Sequence, residues 1–428
     1  MFRRTALALV ALGLVAATSS CARSGPDPAV ADTSRGPITV WLSDNAQEIG
    51  WGNAMVADWN RQHPDQKVTA RQIPAGKTSE EAESASIIAG NSACLVFNGS
   101  PASVPQFQQQ AGLVALNTFP GAAAYIKART GARAAQYESA DGEFYQMPWK
   151  TNPVMILYNK KIFAKAGIDP DHPDLTTYAR FVAASKKIVS SGAAPSAIWP
   201  SPASDFFQPW YDYYPAFIAQ SHGQPLVKDG KPQFDSPAGR AAMDFWNTLY
   251  RDKLAPQEAY PGDAMAEGRT AMATVGPWAI AAYQGKVDWG VMPVPTQNGM
   301  PADQVHTFSD EKSVDMFTAC KNRLTAWDVL KFATSEQQDG KLLSATGQMP
   351  MRTNLLGTYA SWFARNAGYR PFADAASRTV EVPDVAGSID MWQEFRDDYS
   401  RSVIFGKQSP DAALHEASVK ISKILAEY

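Results

Sequence analysis

The sequence predicts an α/β protein, built as two or three domains or as one large two-lobed body. Two observations predict this. Between residues 38 and 99, short apolar or β-branched runs alternate with helical periodicities in the order strand–helix–strand–helix–strand. That order implies a mostly parallel sheet with helices on both faces. The same kind of pattern restarts near residue 150. The 428 residues, 45% hydrophobic and 19% charged, have an ordinary globular composition with room for more than one such unit.

The elements follow in order. Ile38-Thr39-Val40-Trp41-Leu42 is a β-branched run of the kind that forms a buried strand. Met55, Val56 and Trp59 space a helix over 55–63, which Pro64 ends. Residues 68–73 alternate as a second strand, and a polar helix rich in Ala, Ser and Glu spans 78–89. Cys94-Leu95-Val96-Phe97 is a third strand, closed by Asn98-Gly99. Ligands of such sheets bind outside the carboxyl ends of the strands. The loops at 43–53 and 98–104 are therefore the first candidate site walls. In the second unit, 154–158 is a strand and 178–189 a helix, and 199–215 is dense in aromatic residues. Asp229-Gly230 marks a hairpin turn, and an amphipathic helix spans 238–250. Further helices are expected at 323–334, 389–400 and 410–427.

Arg3 and Arg4, the apolar run 6–17 and the small residues Thr18, Ser19 and Ser20 form the charged, apolar, small-residue order of an export signal. The apolar run is shorter than the roughly 20 residues a membrane span needs, and no later run reaches that length. Residues 22–36 are small, polar and broken by Pro and Gly, as in a flexible tether. A net charge of −3 without basic runs argues against nucleic acid and against a polybasic membrane surface. Of the three cysteines, Cys94 and Cys320 are free to pair in an oxidising compartment. The sequence leaves open whether they form a disulfide or stay two buried thiols. Three cysteines and five scattered histidines have no zinc-ligand spacing, and neither metal nor cofactor is expected.

Catalytic signals are absent. Gly76-Lys77-Thr78 has Arg71 where a phosphate-binding loop needs glycine. Asp310 and Glu311 are adjacent, so in extended chain they point to opposite sides and form no carboxylate pair. There is no Gly-x-Ser-x-Gly elbow and no His-Glu-x-x-His helix. No catalytic residue is assigned. The rival classes are a secreted glycoside-acting enzyme with carboxylates from distant loops and a structural lipoprotein without ligand.

The cysteine directly after the small residues resembles a bacterial lipobox, with Thr18 where leucine is commoner. That pattern implies cleavage before Cys21, lipid on Cys21, and anchoring at the outer face of the cytoplasmic membrane. The alternative is plain secretion. Four further segments together resemble the solute-binding proteins of bacterial sugar-type ABC importers, the maltose-binding-protein-like family. They are Tyr145-Gln146-Met147-Pro148-Trp149 followed by Tyr158-Asn159-Lys160-Lys161-Ile162-Phe163; Phe234-Asp235-Ser236; Gly268-Arg269-Thr270-Ala271-Met272 with Gly276-Pro277-Trp278; and Gly347-Gln348-Met349-Pro350-Met351-Arg352. The resemblance covers nearly the whole chain after the tether. It implies a periplasmic-binding-protein-like fold, each lobe a sheet flanked by helices, with a hinge and a central cleft. Crossings are expected near 150, 295 and 345, which divides the chain into lobe 1 (37–150 and 297–343) and lobe 2 (151–296 and 344–428). The implied function is non-catalytic: a monomeric receptor binds a carbohydrate-like solute and delivers it to membrane permease subunits. A glycerophosphodiester or an amino sugar is the alternative ligand within the same fold. One departure stands out, since Thr307-Phe308-Ser309-Asp310-Glu311 replaces a Gly-Gly-Ser-like stretch usual in relatives.

A sugar offers an apolar C–H face and a ring of hydroxyls, so its receptor needs rigid aromatic planes and convergent polar groups. Trp278 is the leading candidate, at a strand-to-helix junction where Gly276 permits close approach and Pro277 suits the first helical position. Trp210 and Tyr211 form a second aromatic candidate, or core. Asp44 and Asn45 follow the first strand, and Asn98 and Ser100 follow the third; each pair is placed to bind ligand or to cap its own loop. Asn152 sits where some relatives have a ligand-binding acid. Arg352 presents a planar fork to hydroxyls or to an anion, or forms a salt bridge between lobes. Asp310 is placed to bind hydroxyls or an amine.

Overall fold

The computed structural model describes residues 25–76, 78–200, 211–258, 260 and 262–427. Cys21 and Trp210 lie outside the described residues. The three strands expected first are β1 (Ile38–Leu42), β2 (Val68–Gln72) and β3 (Leu95–Gly99), with β1 between the other two and parallel to both. The helices Ala46–Gln62 and Ser79–Ala89 connect them. The first begins nine residues before the Met55 periodicity. Its buried stripe starts one turn before Met55, with Trp51, and Asn45 sets the start as its cap.

The remaining strands are β4 (Gln146–Thr151), β5 (Met155–Asn159), β6 (Ser196–Pro200), β7 (Val227–Lys228), β8 (Lys231–Pro232), β9 (Thr270–Val275), β10 (Trp289–Met292), β11 (Thr307–Phe308), β12 (Lys312–Met316), β13 (Met349–Pro350) and β14 (Thr379–Val380). They build a six-stranded sheet ordered β13-β4-β12-β3-β1-β2 and a four-stranded sheet ordered β10-β5-β9-β6. This is the two-lobed α/β fold. The expectation of a mostly parallel sheet holds for β1–β3, and in the other sheet β6 and β9 are also parallel. β12 runs antiparallel to both β3 and β4, and β5 antiparallel to both β9 and β10. The physical reason is the crossing of the chain: three residues separate β4 from β5, and strands returning from the other sheet enter in the opposite direction.

Each sheet buries both faces. Along β5, Ile156 and Tyr158 pack into one core with Phe163, Phe181 and Trp246, while Met155 and Leu157 pack into another with Ile280 and Phe372. That alternation is the period-2 geometry of a strand. In the other lobe, Val40, Leu42, Phe97, Trp51 and Trp149 share one core, with the two tryptophan rings 5.3 Å apart. β7 and β8 form the expected hairpin, with Asp229 and Gly230 at φ of 49° and 69°, the left-handed pair its tight turn requires. Cys94 and Cys320 are joined as a disulfide, with Cα atoms 4.5 Å apart. The lobes touch where Ala102, in the short turn Pro101–Ser103 after β3, enters the core formed by the other lobe's aromatic residues.

Candidate functional site

The site is built where β3, β12 and the crossing between β4 and β5 come together. β3 ends in Asn98, left-handed at φ 76°, and Gly99. A Cβ on Gly99 would stand 2.2 Å from Asp315 Oδ2, so only glycine lets that carboxylate lie under the turn. β12 is bulged on both edges, at Lys312/Ser313 against β4 and at Ser313/Val314 against β3. Bulges re-aim side chains. Here Ser313 Oγ donates to Asp315 Oδ1 at 2.7 Å, and Lys312 Nζ meets Asp310 Oδ1 at 2.8 Å with both side chains largely buried. Burial alone would lower the Lys312 ammonium, but Asp310, Glu80 and Glu381 outweigh it and hold its pKa above the usual value.

The second lobe brings the aromatic side. The Tyr211 hydroxyl donates to Asp310, and burial together with that carboxylate pushes it well above the usual phenol range. The Tyr211 ring lies edge-on to Trp278 and to Phe308, each with centroids 6.0 Å apart. Trp278 is half-buried at the start of the turn Pro277–Ala279, after β9. Its ring folds back over Gly276, where a Cβ would come within 1.8 Å of it.

A hydrogen-bonded chain joins this corner to the loop after β1. Asp310 N donates to the Asn152 carbonyl at 3.1 Å, and Asn152 Nδ2 donates to Gln348 Oε1 at 3.0 Å and to the Asp310 carbonyl at 3.3 Å. Gln348 Nε2 reaches Glu48 Oε1 at 2.6 Å; Lys150 pairs with the same oxygen; Ser43 Oγ donates to Glu48 Oε2 at 2.7 Å. Burial would raise Glu48, but the Lys150 charge and the bonds from Lys150, Gln348 and Ser43 hold it below the usual carboxylate range. A second acidic pair lies alongside. Glu311 binds Arg133 and Tyr137, and its backbone N–H donates to Glu381 Oε2 at 2.9 Å. Burial and the Glu311 charge push Glu381 well above its usual value.

The candidates named from sequence fall into three groups. Tyr211, Asp310 and Asn152 are linked by hydrogen bonds, and Trp278 and Gly276 join them through the Tyr211 ring. Asn98 and Ser100 flank Gly99 over Asp315, with Ser100 buried. Asp44 is exposed, and Asn45 Oδ1 is engaged by Gln47 N at 3.1 Å and Glu48 N at 3.0 Å, a helix cap. Arg352 stands apart: its Nε is on Asp339 at 2.6 Å and its Nη2 on the Thr334 carbonyl at 3.3 Å, partners that the Tyr211–Asp310 group does not share. Asn152 is buried, with Oδ1 lacking a partner. Glu48, Lys150, Lys312 and Gln348 were missed. Lys150 left a signal, a lysine directly after Met147-Pro148-Trp149 in a strand; Glu48 and Gln348 left none, since the bonds joining Glu48 to Lys150 and to Gln348 span 102 and 300 residues. Among the described residues no group of three or more His, Cys, Asp or Glu is arranged to hold a metal, and no helix is long and apolar enough to cross a membrane.

Comparison with known proteins agrees with this architecture. The family described as bacterial extracellular solute-binding protein matches residues 45–340. The chain is 26% identical over 304 residues to a binding protein of Brucella abortus (strain 2308), covering 67% of this chain and 69% of that one. It is 25% identical over 444 residues to the diacetylchitobiose binding protein of Streptomyces coelicolor, covering 96% of each. Among solved structures, the GacH receptor of Streptomyces glaucescens superposes with a TM-score of 0.77 at 21% identity, over 92% of this chain and 99% of that one, a likeness of fold. The family match spans more than half of the chain, from the cap of the first long helix into the helix Glu336–Thr346, and the chain thus belongs to the bacterial extracellular solute-binding proteins, which bind solutes outside the cytoplasm and are not enzymes.

Proposed function

We propose that this protein is the carbohydrate-binding receptor of an ABC-type importer, held at the outer face of the cytoplasmic membrane by lipid on Cys21. The flexible tether expected over 22–36 is shorter than that, because Pro28–Ala31 is helical with Ala31 buried, Asp32 pairs with Arg323 at 2.8 Å and Gly36 N donates to Thr325 Oγ1 at 3.1 Å. The observation that carries the reading is the corner where Trp278 and Tyr211 meet Asp310 and Lys312. It pairs flat apolar rings with charged hydrogen-bonding groups, the two surfaces a sugar presents in mirror image. The similarity to the diacetylchitobiose binding protein of Streptomyces coelicolor supports a saccharide. In this reading the lobes, 37–150 with 297–343 and 151–296 with 344–428, close around ligand because the closed state binds it better. Micromolar capture needs about −8 kcal/mol, within reach of two aromatic contacts and several charge-assisted bonds. The closed form then presents the solute to permease subunits, as one receptor molecule.

Isothermal titration of the mature chain against neutral mono- and oligosaccharides tests this. Saturable binding without hydrolysis is expected, and X-ray scattering should show compaction on binding. Binding of glycerophosphodiesters alone would replace the carbohydrate, and hydrolysis of the glycosides would replace the receptor. Intact-mass measurement of protein from membranes tests the lipid on Cys21.

A further inference from the structure

We propose that a second ligand site lies at the end of the four-stranded sheet away from Trp278, and that it takes a small organic phosphate, a phosphate monoester on an apolar ring. The proposal goes beyond the carbohydrate reading and does not depend on it. A cavity of about 830 Å³ opens there, within the usual range for small-molecule pockets. Its walls come from Pro195 and Ser196 at the start of β6, from the last turn of the helix Pro237–Arg251 with the residues after it, and from the turn 403–410. Ser196 pairs with Thr270, the first residue of β9, whereas Trp278 lies three residues past its last, Val275. Six residues of strand, roughly 20 Å, separate the two ends.

The charge of these walls is one-sided. Arg251, Lys253 and Lys407 line the cavity and, among the described residues, no Asp or Glu does, in a chain whose net charge is −3. Arg251 Nε is on Asp252 at 3.0 Å, and the same carboxylate takes Lys186 at 2.9 Å, so that acid is shared by two cations. Lys253 and Lys407 have no ion pair among the described residues, and the Lys407 ammonium rests 5.8 Å from the Phe405 ring. Two backbone features present these groups. Lys253 stands at φ 58° just past the end of the helix Pro237–Arg251, where glycine fits without strain. A lysine there costs stability, and a role for its side chain explains why it is kept. The turn after the helix Ser388–Tyr399 is π-helical over Ser400–Ile404, with Phe405 N donating to the Ser400 carbonyl at 3.0 Å. Such wide turns recur at functional sites. This one brings Phe405, 52% exposed, and Lys407 to the cavity, and Gln257 Nε2 fixes it from the facing loop through the Ile404 carbonyl at 2.6 Å. The ligand class follows from the chemistry. A phosphate monoester carries about two charges and three strong acceptor oxygens in one group, which suits three cations on one cavity; a carboxylate brings one charge. Tyr260, Ile404 and Phe405 in the same walls offer an apolar face to the ester's ring.

The test is calorimetric titration of the full mature chain at low salt with phenyl phosphate, inorganic phosphate, phenol and hexaglutamate. Phenyl phosphate is expected to bind at least threefold tighter than inorganic phosphate, and phenol to give no measurable binding. Lys253→Gly and Lys407→Gln should each weaken phenyl phosphate at least fivefold, whereas Trp278→Ala should leave its affinity within twofold. Lys253→Gly should also raise the melting temperature of the free protein, because glycine relieves the left-handed residue; a lysine with a structural role alone would not exchange affinity for stability in this way. Melts establish that each variant folds, and Lys407→Gln, on a different segment, decides the matter if Lys253→Gly melts lower. Absence of phenyl phosphate binding overturns the proposal, and so does binding that survives in both lysine variants. Loss of binding in Trp278→Ala places the phosphate in the cleft and overturns the second site. Binding of hexaglutamate without phenyl phosphate replaces the ligand by an acidic peptide and overturns the phosphate assignment.

Discussion

Arg129 meets both carboxylate oxygens of Asp339, at 3.0 and 2.9 Å, with the two side chains 2% and 0% exposed. The rest of the guanidinium is equally engaged. Nη1 donates to the carbonyls of Pro148 and Met351 at 2.7 and 2.6 Å, Nη2 to Trp149 at 3.0 Å, and Nε to Thr334 at 3.2 Å. All five N–H groups have acceptors. One side chain thus ties β4, just before the chain crosses to the other sheet, to the segment after β13 and to the helix Glu336–Thr346. Arg352 completes the cluster on Asp339.

Breaking this clamp should destabilise the fold without touching the ligand corner. Arg129→Met leaves a buried carboxylate and four carbonyls short of a donor, and removing one member of a buried ion pair costs about 3–5 kcal/mol. Arg129→Lys should recover little, because an ammonium cannot span acceptors arranged for a planar fork. Urea unfolding measures both. A loss below about 1 kcal/mol would show that the clamp contributes little to stability.

The aromatic corner makes a different prediction. Trp278→Ala should weaken saccharide binding at least tenfold while moving the melting temperature little, since the ring is half-buried. Gly276→Ala should weaken it as well, although residue 278 is untouched, because the new Cβ occupies the space of the indole ring. Titration calorimetry on both variants is the check. A Gly276→Ala protein with unaltered affinity would sever the ring's position from binding.

These examples show which parts of the molecule were legible. β1 and β5 announce themselves as apolar runs, and the helix Pro237–Arg251 by its stripe, because burial of one local segment writes a local pattern. The turn that carries Trp278 was legible through the residues around it, a glycine that admits the ring and a proline that starts the turn. The acid-rich part of the site was not. Lys312 and Asp315 belong to a strand of five residues, Lys-Ser-Val-Asp-Met, whose position between β3 and β4 depends on partners some 160 and 220 residues earlier and on two bulges. Glu80 and Glu83 look in sequence like the solvated face of a polar helix. Both are nevertheless buried in the fold, and Glu83 feels the charges of Asp315 and Lys312, more than 200 residues later in the chain. The antiparallel entries of β12 and β13 have the same origin, in crossings that no local pattern encodes.

The disulfide links the residue before β3 to the end of the loop after β12, a sequence separation of 226. The segment between them includes all of β4 to β12, so the bond constrains a very long loop of the unfolded chain. Its removal in Cys94→Ser/Cys320→Ser is expected to cost about 2–5 kcal/mol. Melting in the presence and absence of reductant measures this. Because both cysteines lie in the six-stranded lobe, ligand affinity at 25 °C should change less than twofold; a larger loss would mean that the bond also shapes the cleft.

Asp212 carries the last prediction, on pH. It is 1% exposed, with Oδ2 accepting from the Tyr250 and Tyr399 hydroxyls at 2.9 Å each. Burial pushes its carboxyl up to about 7, further than the two tyrosine bonds pull it down. The sign follows from which state holds the proton. Between the ordinary aspartate range and about pH 7, the folded protein keeps this proton and the unfolded chain loses it. The contribution to stability is full below about pH 4 and declines as pH rises through about 7. At about 1.4 kcal/mol per unit, a shift from 3.8 to about 7 amounts to about 4 kcal/mol. Asp212→Asn removes the titration. Relative to the parent protein, the variant should gain stability between pH 4 and pH 8, with its melting temperature rising against the parent's across that range. A difference in melting temperature that stays flat from pH 4 to pH 8 would show that Asp212 is ionised in the folded protein throughout.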